Sequence, residues 1–430
     1  MKRIVVLGGG FAGVECVRQL QRGLRSNSTT DILLISEQNF LLFRPMLPQV
    51  ASGTINTRNI VMPIRSILKK ARFYEGRVRA IDPATRQVSL WGTPEMTGIT
   101  VNYDYLVVAL GGEPDFFGMS GIKRNAFRMQ NRVMDMLEQA NNEPDEGAKR
   151  ALLTFVIVGG GFSGIETAGE LHDLLVDATK HYPAISRDEV RVVVVESRPA
   201  ILPGFAENLA KFAYKALVRR GIEMRLQSRL MSFDRSEAEV SWEGGSETIH
   251  AHTLIWTAGF TAVNMVQRSV FKTVNGKIAV NDHLEVEGYP GVFAAGDCSL
   301  LMDPKLGVPY APTGHLAAAQ GKIIAHNLSA KINGQPLKKF RYKPEYQMAV
   351  IGKRTGVALI HGIRIQGVAA WMLWRTVFLY KMPVFSKRLR VIVDWTGDLL
   401  FDRDIARLTF MNRQDEAKDY RSLDVVDEFW

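Results

Sequence analysis

Cysteine is nearly absent from this chain: Cys16 and Cys298 are the only two in 430 residues, far apart and in no C-x-x-C arrangement. That excludes a structural zinc site and a disulfide scaffold, and fits a reducing compartment. Long apolar runs are missing as well, none reaching the ~20 residues that a membrane-spanning helix needs. The opening M-K-R-I-V-V-L is basic and then apolar, but a glycine turn cuts it short of the apolar core of a secretory signal. The expectation is a protein of the cytosol, or of a membrane surface reached from the cytosolic side. Low-complexity tracts are lacking, and with 46% hydrophobic and 23% charged residues the chain can build two or three globular domains. Acid is scarce in one region. Between Lys331 and Arg390, 13 Lys and Arg face a single acid, Glu345, so this segment alone exceeds the net +10 of the whole chain.

What is present in abundance is glycine, and it is patterned. Ile4 to Cys16 reads I-V-V-L-G-G-G-F-A-G-V-E-C, a β-branched run that ends in Gly8-x-Gly10-x-x-Gly13 and passes into helical spacing. This order is that of a dinucleotide fingerprint. Gly8 makes the tight turn, Gly10 lets backbone N–H groups approach a pyrophosphate, and Gly13 lets helix and strand pack closely. The pattern returns at Phe155 to Leu171, F-V-I-V-G-G-G-F-S-G-I-E-T-A-G-E-L, where Gly159, Gly161, Gly164 and Glu166 repeat Gly8, Gly10, Gly13 and Glu15. An acid closes the next predicted strand in each half, Glu37 after D-I-L-L-I-S and Glu196 after V-R-V-V-V-V. Such a carboxylate accepts hydrogen bonds from a ribose diol and repels a 2′-phosphate. Two dinucleotides are expected, and the second is NADH in preference to NADPH, with Arg198 as the residue that would meet a 2′-phosphate.

Between and beyond the fingerprints lie further signals. Phe40 to Gly53, F-L-L-F-R-P-M-L-P-Q-V-A-S-G, is too apolar and proline-broken for a surface loop. It either packs on a flavin ring or is a buried irregular connection. Tyr103 to Gly111 and Leu254 to Gly259 read as buried strands ending in glycine, at the crossover between domains and the return from it. Val292 to Asp297, V-F-A-A-G-D, delivers Gly296 and Asp297 to a turn where a carboxylate can bond the ribityl chain of a flavin. Gly314 to Ala330 is helical, and its N-terminal N–H groups would stabilise an anionic reduced flavin.

Fingerprint, acid, crossover, second fingerprint, acid and V-F-A-A-G-D, in this order, resemble the two-dinucleotide-binding flavoprotein superfamily. Within it the chain looks like a type II NADH:quinone oxidoreductase over essentially its whole length. The resemblance implies an α/β fold: two Rossmann-like domains, FAD in the first and NADH in the second, plus a C-terminal membrane-surface helical region. The expected division is 1–112 and 289–335 for FAD, 113–288 for NAD(P)H, and 336–430 for the C-terminal region. Thr313 to Gly321, T-G-H-L-A-A-A-Q-G, is similar to the family's T-A-Q-x-A-x-x-Q-G quinone-site helix start. Thr313, Ala317, Gln320 and Gly321 match, whereas Gly314 and His315 replace Ala and Gln. His315 either donates to a quinone carbonyl or caps the helix. Glu166 either contacts the nicotinamide or influences quinone protonation, or else serves packing; Glu15 at the equivalent place shows that the position need not be catalytic. Glu166, His315 and Gln320 are the implied catalytic set, with no metal, and Lys353 in A-V-I-G-K-R-T-G is a further residue expected near the quinone.

Ile363 to Val393 contains V-A-A-W-M-L-W-R-T-V-F-L-Y-K-M-P-V-F, flanked by Arg364, Lys381, Lys387, Arg388 and Arg390. As a helix, Val368 to Tyr380 spans about 20 Å, too short to cross a ~30 Å hydrocarbon core. It is expected to lie in the interface, with Trp371, Trp374 and Tyr380 as interfacial aromatics and the basic flanks on anionic headgroups. The alternative is a buried core helix or a homodimer interface. Sulfide:quinone oxidoreductase shares the fold but uses cysteines at the flavin, and no suitably placed pair is evident; a non-catalytic FAD and NAD redox sensor is the other rival. Nucleic acid is not an expected partner, since the basic segment is interleaved with membrane-anchor residues.

Overall fold

The computed structural model describes the chain apart from residues 25–29, 92–97, 117–128, 235, 306, 404, 407–425 and 428–430, so part of the expected C-terminal region lies outside the described residues. Two compact units emerge. The first comprises residues 1–43, 61–114 and 260–343; the second comprises 44–60, 115–259 and 344–430. The return from the second unit falls at 259/260, where L-I-W-T-A-G ends, so residues 260–288 cluster with the first unit. Residues 44–60 are likewise part of the second unit, which also holds the C-terminal segment.

The first unit is built on a parallel sheet in the order Val292–Ala294, Tyr105–Val108, Lys2–Leu7, Thr30–Ser36, Arg72–Glu75. Its central strand buries Ile4 through Leu7 completely, as a strand covered on both faces requires. The helix Phe11–Gly23 leaves the glycine turn with Ala12, Cys16, Val17 and Leu20 inward, a helical spacing. The helix Gly314–Ile332 packs along it so closely that a Cβ on Gly321 would come within 2.2 Å of the Ala12 carbonyl oxygen. The crossover strands Gly112–Pro114 and Phe260–Ala262 pair antiparallel.

The second unit repeats the plan with strands Glu223–Arg225, Arg191–Val195, Thr154–Val158 and Thr253–Trp256, and a two-residue strand at Val426–Asp427 beside the last. The helix Phe162–Thr179 follows its glycine turn. An antiparallel sheet of Tyr346–Val350, Gly356–Ile360 and Ile363–Gln366 precedes two helices, Val368–Lys381 and Phe385–Leu400. The first of these helices departs from expectation. Trp371 and Trp374 are 4% and 2% exposed, part of the core of this unit and not interfacial; only Tyr380, 75% exposed, faces outward. Among the described residues no helix is long and apolar enough to cross a membrane.

Candidate functional site

In the first unit the glycine turn has the geometry of a phosphate cradle. Gly8 adopts φ +105°, and a Cβ there would meet the Ala109 carbonyl oxygen at 2.1 Å. A Cβ on Gly13 would lie 2.0 Å from the Gly8 carbonyl oxygen, so this glycine sets the approach of helix to turn. A Cβ on Gly10 would meet nothing within 4 Å, which leaves the space in front of the helix N-terminus open to an anion. Glu37 directly follows the strand Thr30–Ser36 with its side chain 66% exposed, available to ribose hydroxyls. Gly296 takes φ +78° at the turn that presents Asp297, and its N–H donates to Gln320 Oε1 at 2.7 Å. Gln320 is 2% exposed. Gln320 thus holds the Gly296 turn from within the helix Gly314–Ile332. His315 does not cap the helix: Thr313 does, its hydroxyl accepting from the Leu316 N–H at 3.1 Å. Gly314 has a steric reason, since a Cβ would press to 3.1 Å on the Phe11 ring of the first fingerprint. The group implied by this set is FAD, and the cradle, open space, acid and ribityl turn all fit it within one unit.

The second unit holds the matching set for a second dinucleotide. Gly159 has φ +112°, a Cβ on Gly164 would lie 1.9 Å from the Gly159 carbonyl oxygen, and one on Gly161 would meet nothing within 4 Å. Thr257, which sequence reasoning passed over inside L-I-W-T-A-G, locks this turn by donating to the Val158 carbonyl at 2.8 Å. Glu196 is 6% exposed; it accepts from the Gly160 N–H at 2.6 Å and from the Arg198 N–H at 2.8 Å. Its Oε1 also accepts from Ser197 Oγ at 3.3 Å, so this carboxylate is braced against the glycine turn and the residues that follow its own strand.

Acids then run down one face of the helix Phe162–Thr179 at spacings of four, three and four: Glu166, Glu170, Asp173 and Asp177. Glu166 is 9% exposed and accepts from the Val350 N–H at 3.1 Å, so the helix is pinned to the C-terminal sheet through it. Glu170, 4% exposed, accepts from Ser52 Oγ at 2.8 Å, Thr54 Oγ1 at 3.4 Å and Arg403 Nη2 at 3.3 Å. Burial pushes its carboxyl above the usual range, against the pull of Arg403. Asp173 is paired with Arg220, and Asp177 with Lys353 Nζ at 3.1 Å; Lys353 Nζ also stands 3.9 Å from Asp398 Oδ1. Glu170 and its partners were missed by sequence reasoning; the signal was there in four acids on one stripe of an otherwise apolar helix. The same unit resolves the Phe40 to Gly53 stretch from residue 44 on. Leu47 to Ala51 is a short buried helix, and Gln49 Oε1 accepts from Trp395 Nε1 at 2.9 Å.

Neither cysteine reaches the surface. Cys16 and Cys298 are both fully buried in the first unit, and burial pushes the Cys298 thiol up to about 11 and Cys16 higher still. Among the described residues no group of His, Cys, Asp and Glu is placed to hold a metal ion. The helix Phe385–Leu400 has two opposite stripes. Val391 and Trp395 are buried, while Phe385, Leu389, Ile392, Val393 and Leu400 are exposed, 67% and 69% at Phe385 and Val393. Arg364, Lys381 and Arg390 are also exposed.

Comparison with known proteins fits this anatomy. Residues 2–321 match the family model described as pyridine nucleotide-disulphide oxidoreductase, and residues 347–404 match the NDH2 C-terminal domain. A type II NADH:quinone oxidoreductase of Staphylococcus aureus is 29% identical over 379 residues, covering 86% of this chain and 92% of the relative. Among solved structures, NDH2 from Plasmodium falciparum in complex with NADH superposes with TM-score 0.84 at 18% identity, covering 94% of this chain and 99% of that one. A sulfide:quinone oxidoreductase from Aquifex aeolicus reaches TM-score 0.71 at 18% identity, over 93% of this chain and 95% of that one. Both structural likenesses are of fold.

Proposed function

The chain belongs to the pyridine nucleotide-disulphide oxidoreductase family, and from that premise we propose that it is a type II NADH:quinone oxidoreductase. It is an FAD-dependent enzyme that takes a hydride from NADH and passes two electrons to a membrane quinone without pumping protons. The observation that carries this reading is the pairing of two complete glycine cradles with an NDH2 C-terminal domain in one chain. Bound FAD supplies the chemistry, accepting the hydride and releasing electrons in a separate step. The chain supplies position. Gly8, Gly10, Gly13, Glu37, Gly296 and Asp297 hold FAD; Gly159, Gly161, Gly164 and Glu196 hold NADH. Gln320 fixes the ribityl turn through the Gly296 N–H. His315, in the first turn of Gly314–Ile332, is the donor we assign to a quinone carbonyl, and Glu166 serves to brace the helix Phe162–Thr179.

Glu170 is held inside the second unit by Ser52, Thr54 and Arg403, and burial favours its neutral form. The enzyme is membrane-associated, and the outer stripe of Phe385–Leu400 with its basic neighbours is the surface we assign to anionic lipid on the cytoplasmic side. A persulfide mechanism is disfavoured by two buried, protonated thiols.

Purified protein is assayed with NADH and a short-chain quinone while flavin absorbance is followed, with NADPH and sulfide in parallel. Fast bleaching by NADH and re-oxidation by quinone is expected. Bleaching without quinone turnover would mark a redox sensor instead, and sulfide-driven turnover would overturn the assignment in favour of the other quinone reductase.

A further inference from the structure

The two glycine cradles differ at their middle glycine. In the first, a Cβ on Gly9 would meet Ile64 Cδ1 at 2.6 Å and Ser36 Oγ at 2.7 Å, while the acid of that half, Glu37, stands in solvent with its side chain 66% exposed. In the second, the nearest heavy atoms to a Cβ on Gly160 are Cβ, Cγ and Oε2 of Glu196, each at 3.0 Å. The Gly160 N–H donates to that same Oε2 at 2.6 Å, and Glu196 Oε1 is held by the Arg198 N–H at 2.8 Å and by Ser197 Oγ at 3.3 Å. The Gly160 carbonyl in turn accepts from the Leu202 N–H at 2.8 Å. Leu202 is 1% exposed and holds φ +52°, a left-handed conformation uncommon for leucine. Residues 196–202 thus leave the strand Arg191–Val195 and return to one glycine, which grips them by the acid at one end and by the backbone at the other.

We propose that Gly160 is a specificity-determining residue for the nicotinamide nucleotide, acting through the position of Glu196. The proposal rests on the reading above of the second cradle as the NADH site. A carboxylate fixed by backbone donors meets a ribose diol without first losing rotamer freedom. At 6% exposure its charge is also little screened, so a phosphate in place of the 2′-hydroxyl is repelled. Gly160 is not among the glycines at positive φ, so what the position requires is room and not backbone freedom, and the room is taken up by the Glu196 side chain. A methyl group there displaces the acid toward solvent, where water and salt screen its charge. The exposed Arg198, two residues on, is then left to attract a 2′-phosphate.

The test titrates NAD⁺ and NADP⁺ by calorimetry into the oxidised, FAD-loaded enzyme, wild type and G160A, with flavin content per chain as the check on folding and flavin bleaching by NADH and NADPH recorded alongside. Wild type is expected to favour NAD⁺. In G160A the affinity for NAD⁺ falls while that for NADP⁺ holds or rises, so the ratio of the two drops about tenfold. Equal losses for both nucleotides would mark a distorted phosphate cradle; that result, an unmoved ratio, or a wild type with no preference for NAD⁺ each overturns the proposal. If G160A does not retain FAD, E196D decides: its carboxylate keeps the charge but is one methylene too short for the Gly160 N–H. The ratio then falls if the clamp sets specificity, and a ratio that stays at the wild-type value overturns the proposal. Wild-type protein that binds neither nucleotide sinks the reading of the second cradle itself, a result distinct from an unmoved ratio.

Discussion

Replacing Gly10 or Gly13 by alanine separates ligand space from packing within five residues of chain. At Gly13 the new methyl would sit 2.0 Å from the Gly8 carbonyl oxygen, little more than half of an ordinary contact, so helix and turn must move apart. Overpacking of this kind costs about 1–3 kcal/mol. In a unit of this size that lowers the apo-protein Tm by roughly 2–4 °C per kcal/mol. Gly10 is different: its φ of −78° and ψ of −173° suit any residue, and its Cβ meets no protein atom within 4 Å. G10A apo-protein should lose at most about 1 kcal/mol, the cost of a poorer helix cap. Its methyl instead fills the space where a pyrophosphate must approach the backbone. If that steric cost is again about 1–3 kcal/mol, FAD affinity falls between ~5-fold and ~150-fold. Bound flavin stabilises the holo-protein by mass action, so the comparison must be made on stripped proteins. The assay is flavin absorbance per chain after gel filtration, FAD titration by fluorescence quenching, and thermal melts of the apo forms. G10A that keeps FAD with wild-type affinity, or that loses as much apo stability as G13A, would refute the reasoning.

In the second unit G161A should retain FAD yet raise KM for NADH by about tenfold, because the same open position now faces NADH; stopped-flow bleaching at graded NADH concentrations measures it. W395F leaves Gln49 Oε1 without its buried donor and should cost about 1–3 kcal/mol, read as a fall in urea midpoint. The Asp31 carboxyl is raised by burial, but Arg72 and Arg3 more than offset this and hold it below the usual range. Its contribution is therefore present above the unfolded value and lost as pH falls through the folded one. The stability gap between wild type and D31N should be constant above about pH 5 and close below it, in urea melts across pH. A double variant L389E/V393E places charge on the outer stripe of Phe385–Leu400, where Leu389 and Val393 are 51% and 69% exposed. It should abolish co-sedimentation with anionic vesicles while NADH oxidation by a short-chain quinone continues; unchanged sedimentation would show that the membrane surface lies elsewhere.

Much of this protein is determined by the sequence on its own. Glycine at φ near +105° and glycines whose Cβ would strike a carbonyl oxygen are local requirements, so both cradles, their acids and the V-F-A-A-G-D turn can be read from spacing along the chain. The C-terminal region was only half legible. A run with Trp371 and Trp374 looks interfacial by composition, but burial depends on what packs against the helix, and here both tryptophans turn inward while the less apolar Phe385–Leu400 keeps the exposed stripe. Gln320 and His315 show the same limit: a motif gives their place on a helix, and only the surrounding turn decides that Gln320 holds Gly296 and that Thr313, not His315, is the cap. The Glu170 cluster is the clearest case. Ser52, Glu170, Asp398 and Arg403 are separated by up to hundreds of residues, and no local pattern links them. Periodicity and turn chemistry are short-range and survive in the linear order of residues. The charge state of a buried carboxyl is set by desolvation and by whichever charges folding brings within a few ångströms, and those exist only in the tertiary structure.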